Sequence, residues 1–159
     1  MKLVVIGLGQ CGGRIADEFA RLNIKAHVQR GIDLITGVFA INTDVADLTG
    51  LSYIKPSYQQ RILIGGQESG GHGVGKINKL GAEIAREDSD KIIETVRTTQ
   101  QLSETDAFLL VAASAGGTGS GAIPILTQQL RERYTDKPVY NLIVLPFKYE
   151  EQIEERAIY

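Results

Sequence analysis

The sequence predicts an α/β domain whose doubly wound parallel sheet carries helices on both faces. Short apolar runs of strand length alternate along all 159 residues with segments whose apolar residues recur every three or four positions. Glycine-rich segments follow the first, third and fourth of these runs. In such sheets, loops at the carboxyl ends of strands are where ligands bind.

The apolar runs predict five buried parallel strands, because they are continuously apolar instead of alternating with polar residues. They lie at residues 3–6, 37–41, 61–64, 106–112 and 139–145. Right-handed crossovers would place the first strand beside the fourth, where the strand order reverses, as in Rossmann-like folds. We therefore expect the loops that follow the first and fourth strands to meet at one edge of the sheet.

The first predicted helix follows the first strand. Its apolar residues are spaced by four, four and three, which predicts one helix face that packs on the sheet. This face consists of Cys11, Ile15, Phe19 and Leu22.

Two further segments have helical periodicity. Residues 77–100 carry two apolar stripes separated by a polar run at 87–90, and this pattern fits either one kinked helix or two helices. Residues 122–134 predict another helix, with Pro124 near its first turn, where the missing N–H is tolerated.

Composition limits the possible functions. The 17 basic and 19 acidic residues give no basic field for a nucleic-acid partner. The single cysteine, Cys11, excludes an internal disulfide and suits a reducing compartment. No apolar run approaches the length of a transmembrane segment and no signal-peptide pattern opens the chain, so we expect a cytoplasmic protein. The chain ends within a helical pattern without a stop signal, which is typical of a piece of a longer protein.

The richest motif is AGGTGSG at residues 115–121, between the fourth strand and the next helix. Its small residues leave backbone N–H groups uncovered at the positive end of that helix. Thr118 and Ser120 add hydroxyls able to bind phosphate oxygens or cation-bound water. We therefore predict a phosphate-binding loop, with a plain surface turn as the alternative.

The first loop fits the dinucleotide pattern GxGxxG, which begins at Gly7. Asp44, at the end of the second strand, could hold a ribose, so an NAD- or FAD-binding oxidoreductase domain is the alternative function. A second phosphate loop at 115–121 counts against it, since a dinucleotide fold does not need one. A third glycine cluster at 65–76 is either a mobile loop or another wall of a triphosphate site.

These motifs resemble those of one protein superfamily. Residues 115–121 resemble the tubulin signature loop, and residues 9–12 resemble the first nucleotide loop of tubulins. The Asn-Thr-Asp at 42–44 and the Pro-Phe at 146–147 are similar to the bacterial division protein FtsZ. With the glycine cluster after the third strand, five motifs follow in the order of the tubulin/FtsZ superfamily. The mixture most resembles the archaeal tubulin-like CetZ proteins.

The resemblance implies a GTP-binding cytoskeletal protein that assembles with itself into head-to-tail filaments and acts in cell shape or division. It implies that residues 1–159 form the N-terminal part of the GTP-binding domain, without the central helix and C-terminal domain. The GTPase acid of such proteins lies on a loop beyond Tyr159, so we expect no catalytic residue in this chain and an inactive fragment. A catalytically silent tubulin-like scaffold is a further possibility.

The resemblance also implies which residues hold GTP or GDP. The first loop and the end of the second strand would lie near the nucleotide, its base, ribose or cation, and the later loops would contact phosphates and ribose. A Mg²⁺ ion would be held by phosphates and water, with no direct protein ligand. The expected contacts are Gln10, Cys11, Gly12, Gly13, Arg14, Asn42, Thr43, Asp44, Gly71, Gly73, Gly75, Gly116, Gly117, Thr118, Gly119, Ser120 and Glu150.

Overall fold

The computed structural model describes residues 1–66, 69–99 and 101–147. These residues form a parallel five-stranded sheet in the order β3-β2-β1-β4-β5. The predicted pairing of the first and fourth strands is confirmed. The strands are β1 (Leu3–Leu8), β2 (Ile35–Asn42), β3 (Arg61–Leu63), β4 (Ala107–Ala113) and β5 (Val139–Val144).

Five α-helices lie in the described residues. They are α1 (Gly9–Arg30), α2 (Val45–Thr49), α3 (Asn78–Glu87), α4 (Ser89–Arg97) and α5 (Thr118–Arg133), and a 3₁₀ turn spans Leu102–Glu104. Helices α3 and α4 show that the segment whose pattern fits one helix or two forms two helices, joined at Asp88. None of the described helices has the length and apolar content needed to cross a membrane.

Apolar side chains fill both sides of the sheet. On one side, Ile6 and Phe108 pack with residues of α3, α4 and α5, such as Leu126. On the other side, Val5 and Val111 pack with residues of α1 and α2. Helices therefore cover both faces of the sheet, as the α/β prediction required, except along the edge strand β5.

The prediction that the fifth strand is buried is wrong, because Val139 is only partly buried and residues 140–144 are exposed, Tyr140 at 51%.

The predicted packing face of α1 is wrong in part. Cys11, Ile15 and Phe19 are only half-buried, and Leu22 is 47% exposed. The buried face consists of small residues, Gly9, Gly12, Gly13, Ala16 and Ala20, together with Asp17. A Cβ at Gly12 would lie 2.1 Å from the Val111 carbonyl oxygen, so the helix approaches the strand more closely than larger side chains would allow.

The start of α5 also differs from the prediction. The helix begins at Thr118, four residues earlier than expected, and so includes part of the glycine loop. Pro124 consequently lies in the second turn, inside the helix and exposed. Because proline has no N–H, the Ser120 carbonyl has no backbone donor four residues on. The helical pattern expected around residues 149–157 lies outside the described residues.

Candidate functional site

A pocket of about 560 Å³ lies at the carboxyl ends of β1, β2 and β4. It lies where the strand order reverses, the position at which open α/β sheets bind ligands. Its walls come from the three glycine-rich loops and the end of β2. The lining residues are Leu8, Gly9, Gln10, Cys11, Asn42, Asp44, Asp47, Gly73, Val74, Lys76, Ala113, Ala115, Gly116, Gly117, Thr118 and Gly119.

Most of the predicted contact positions are brought together here. Those that line the pocket are Gln10, Cys11, Asn42, Asp44, Gly73, Gly116, Gly117, Thr118 and Gly119. Seven others are described but are not lining residues: Gly12, Gly13, Arg14, Thr43, Gly71, Gly75 and Ser120. Glu150 lies outside the described residues. The ligand contacts of the whole set stay predictions.

The first loop and the loop before α5 touch each other through their backbones. A Cβ at Gly9 would lie 3.0 Å from the Gly119 nitrogen, and one at Gly119 would lie 2.6 Å from the Leu8 carbonyl oxygen. Gly9 also has a φ of +69°, a conformation that residues with a Cβ rarely adopt. Glycine at these two positions therefore lets two strand ends share one continuous backbone wall.

The start of α5 supplies hydrogen-bond donors to the pocket. The first N–H groups of a helix have no acceptor within it, and they carry the positive end of the helix dipole. Gly117, Thr118 and Gly119 line the pocket at this helix start. The geometry therefore suits an anion held by backbone N–H groups.

The two hydroxyls of this loop make internal hydrogen bonds. Thr118 Oγ1 lies 2.7 Å from Thr43 Oγ1, and both side chains are buried. Ser120 Oγ donates to the carbonyl of Gly116. The Thr118 hydroxyl thus joins the end of β2 to the start of α5, a contact that the sequence pattern did not predict.

Two carboxylates, Asp44 and Asp47, line the pocket beside the end of β2. Asp44 is the N-cap of α2, and its Oδ1 accepts from the backbone N–H of Ala46 at 2.8 Å and of Asp47 at 3.2 Å. The Asp47 carboxylate accepts from Gln10 Nε2 at 2.8 Å and from Asn42 Nδ2 at 2.9 Å. It therefore orients two side-chain amides that face the pocket.

Sequence reasoning missed Asp47. Its position three residues after a capping aspartate is a sequence signal for the start of a helix, but not for a site. Its role depends on Gln10, at the start of α1, and on Asn42, at the end of β2, and only the folded sheet brings both to it.

The glycine-rich loop after β3, residues 65–76 and here called the third loop, closes another side of the pocket. The Gly73 N–H donates to the Thr43 carbonyl at 3.1 Å, and the Val45 N–H donates to the Gly71 carbonyl at 3.0 Å. A Cβ at Gly117 would lie 2.6 Å from Val74 Cγ2. The third loop is therefore held against both the end of β2 and the loop before α5.

Comparisons with known proteins identify the family of this chain. The sequence pattern described as "Tubulin/FtsZ family, GTPase domain" matches residues 2–158. The tubulin-like protein CetZ1 of Haloferax volcanii is 43% identical over 146 residues, which cover 92% of this chain and 35% of that protein. This chain thus spans about a third of the length of the curated relatives that it matches.

Two solved structures extend the comparison to the fold. "CetZ1 from Haloferax volcanii - GDP bound monomer" superposes with a TM-score of 0.86 at 42% identity, covering 96% of this chain and 44% of that chain. A GTPgS-bound protofilament of CetZ2 from the same organism has a TM-score of 0.81 at 36% identity, covering 95% of this chain and 42% of that chain. The family match covers nearly the whole chain and both structural likenesses agree with its α/β fold, so the chain belongs to the tubulin/FtsZ family, with CetZ-like sequence.

Proposed function

We propose that this protein binds GTP and GDP in the three-loop pocket. In the full-length protein, GTP would be hydrolysed when subunits assemble head to tail into filaments. The observation that carries the proposal is the backbone cradle of Gly116–Gly119 at the start of α5, which faces a pocket of about 560 Å³.

The cradle fits phosphate because it lacks side chains where the ligand would lie. A Cβ at Gly116 would meet no atom closer than the Ala113 carbonyl oxygen at 4.0 Å, so it would extend into open space. A Cβ at Gly117 would instead clash at 2.6 Å with Val74. Glycine is thus required at Gly117 for loop packing, and at Gly116 it leaves the pocket open for an anion.

The rest of the nucleotide would lie toward the amides of Gln10 and Asn42. Asp47 fixes both amides by hydrogen bonds, which reduces the entropy lost when they bind a base or ribose. A Mg²⁺ ion bound with the nucleotide would offset phosphate charge. The carboxylates of Asp44 and Asp47 line the pocket and suit a hydrated form of this ion.

Hydrolysis would need a group from outside this chain. We infer that water is the nucleophile and that an acidic loop of the next subunit, beyond Tyr159 in the sequence, positions it. The loops described here would bind the phosphates and stabilise their charge. The related CetZ2 structure is a protofilament, which supports self-assembly as the setting for this reaction. We also propose a cytoplasmic role in cell shape or division, which the membership of the tubulin/FtsZ family supports.

The NAD- or FAD-binding alternative has weaker support. A ribose would need the Asp44 carboxylate, but one of its oxygens already caps α2. A silent scaffold would bind GTP without turnover, and only a rate measurement separates it from a GTPase.

Calorimetric titration of the full-length protein with GDP, GTP and NAD tests the binding proposal. We expect GDP and GTP to bind and NAD to bind far more weakly. NAD affinity equal to that of GDP would contradict the proposal.

Phosphate release at increasing protein concentration tests the hydrolysis proposal. We expect the rate per subunit to rise with concentration for the full-length protein, because assembly completes the site. The 159-residue piece should show weak nucleotide binding and no such rise. A rise in the piece would place the catalytic acid within these residues, with Asp44 and Glu68 as the first candidates.

A further inference from the structure

A second pocket lies at the other end of β2 from the three-loop pocket. Strand β3 pairs only with Ala40–Asn42, so within the described structure residues 35–39 of β2 have no neighbouring strand on that side. A pocket of about 590 Å³ lies there, a size typical of small-molecule sites. Its walls come from the start of β2, from the loop that precedes β3, and from residues 98, 99 and 101, which follow α4. We call it the β2 pocket.

Two oxygen atoms in the residues of these walls lack hydrogen-bond partners. Gln60 Oε1 and Thr99 Oγ1 are buried, and no other buried side-chain nitrogen or oxygen in the described part of the chain is without a partner. Both residues line the β2 pocket. A buried polar atom without a partner destabilises a protein, so such atoms are rare and indicate a group that an outside partner can satisfy.

The backbone holds both residues in place. The Ala40 N–H donates to the Gln60 carbonyl at 2.8 Å, and the Gln60 N–H donates to the Ser57 carbonyl at 3.0 Å. The Thr99 N–H donates to the Val96 carbonyl at 3.1 Å. Because these bonds fix the backbone on both sides of the pocket, rotation about side-chain torsions is the change that turns either oxygen toward a ligand.

Glycine at position 37 leaves space beside the threonine hydroxyl. A Cβ there would lie 3.1 Å from Thr99 Cγ2, 3.3 Å from Thr99 Oγ1 and 3.2 Å from Phe39 Cε2. Gly37 does not have a positive φ, so its backbone conformation is open to other residues. Glycine is therefore used here for space, and a larger residue would crowd the unpaired hydroxyl.

The chemistry of the lining residues limits the ligand. Lys55 is the only charged residue among the described lining residues, and the other polar ones carry hydroxyls or amides. An amide oxygen only accepts hydrogen bonds, whereas a hydroxyl both donates and accepts them. A ligand that pairs with Gln60 Oε1 and Thr99 Oγ1 therefore needs donors, and neighbouring hydroxyl groups supply donors and acceptors together. Phe39 adds an apolar surface for the carbon atoms of such a ligand.

We propose that the β2 pocket binds a small hydroxyl-rich molecule without net charge, of the size of a monosaccharide or cyclic polyol, whose hydroxyls pair with Gln60 Oε1 and Thr99 Oγ1. No described residue lines both this pocket and the three-loop pocket, so the site is independent of the proposed nucleotide-binding function. Binding satisfies two unpaired oxygens of the folded state and so stabilises the fold.

Saturation-transfer difference NMR of the full-length protein tests for the site. The probes are glucose, galactose, mannose and myo-inositol. Tetrahydropyran is the control, because this ring has the size of a pyranose but no hydroxyl. We expect at least one hydroxylated probe to bind saturably and tetrahydropyran not to bind. The signal should persist with saturating GDP, because the two pockets share no described residue.

Thr99→Val separates a ligand-binding hydroxyl from a structural one. Valine has nearly the same shape, and the hydroxyl that it removes has no partner in the protein, so stability without ligand should stay the same or rise. The affinity for the bound probe should fall roughly three- to tenfold. Thr95→Val is the matched control and should keep the affinity, because Thr95 Oγ1 donates to the Lys91 carbonyl at 2.7 Å and Thr95 does not line the pocket.

Three results would overturn the inference. The first is a lack of saturable binding by all four hydroxylated probes, or equal binding of tetrahydropyran. The second is displacement of the probe by GDP, which would place it in the three-loop pocket. The third is a Thr99→Val variant that keeps full affinity for the probe, or that loses stability without ligand, because its hydroxyl would then have no role in the site or a partner within the protein.

Discussion

The hydrogen bond between Thr43 and Thr118 gives a quantitative test of how the pocket is held together. Their hydroxyl oxygens lie 2.7 Å apart, and the side chains are 0% and 7% exposed. Thr43 follows β2 and Thr118 begins α5, so the bond links two pocket walls that are 75 residues apart in sequence. Valine has nearly the same shape as threonine and removes only the hydroxyl.

The expected effect follows from burial. Thr43→Val or Thr118→Val alone would leave one buried hydroxyl without its partner, and each should lower the free energy of unfolding by about 1–3 kcal/mol. The double variant leaves neither hydroxyl unpaired. It should therefore lose less than the sum of the single variants, by about 1 kcal/mol.

Denaturant unfolding of the full-length protein without added nucleotide, followed by circular dichroism, measures this coupling. Thr118→Ser, which keeps the hydroxyl, is the control and should be less destabilised than Thr118→Val. Strictly additive single and double variants would refute the reasoning, because they would show that the two hydroxyls do not interact. A Thr118→Val variant that keeps its stability and loses only nucleotide affinity would assign that hydroxyl to the ligand instead.

Three further outcomes are expected. Gly12→Ala should lower the free energy of unfolding by several kcal/mol or prevent folding, measured by denaturant unfolding, because its Cβ would lie 2.1 Å from the Val111 carbonyl oxygen; wild-type stability would contradict this. Asp17→Asn should cost about 1–3 kcal/mol in the same assay, because the buried carboxylate accepts three backbone N–H groups of residues 52–54 at 2.7–2.9 Å; a loss near zero would contradict it. Burial raises the pKa of Tyr134 above its usual value near 10, so its contribution to stability is complete below pH 10 and is lost as pH rises through the higher folded pKa. Tyr134→Phe should remove that part of the alkaline loss of stability, and an unchanged alkaline profile would contradict it.

The sequence predicted the sheet and the meeting of its loops well. Parallel strands buried on both sides are continuously apolar, so the runs were easy to locate, and chain connectivity then placed β1 beside β4. The predicted burial of the fifth strand was wrong, because β5 lies at the edge of the sheet and most of its side chains are exposed. The sequence also failed on α1, because apolar periodicity gives no weight to Gly12 and Ala16. The small size of these two residues lets the helix lie close to the sheet, although they bury little apolar area.

Long-range polar contacts were the least predictable part of the site. Asp47 orients Gln10 and Asn42, and Arg61 donates to the carbonyls of Leu48 and Leu51 at 2.9 Å. The residues next to Asp47 and Arg61 in the sequence form no motif that indicates a structural role for either side chain. Their partners are fixed only when the strands assemble, so no local pattern indicates them.

Competitive nucleotide capture tests the central claim most directly. The full-length protein is incubated with equal concentrations of GTP, GDP, NAD and FAD, separated from free ligand and denatured, and the released nucleotide is identified by chromatography. We expect guanine nucleotides to be recovered, and Gly116→Val, whose side chain would enter the cradle, to recover much less while remaining folded. Recovery of NAD or FAD in place of guanine nucleotides, or an undiminished yield from Gly116→Val, would contradict the claim.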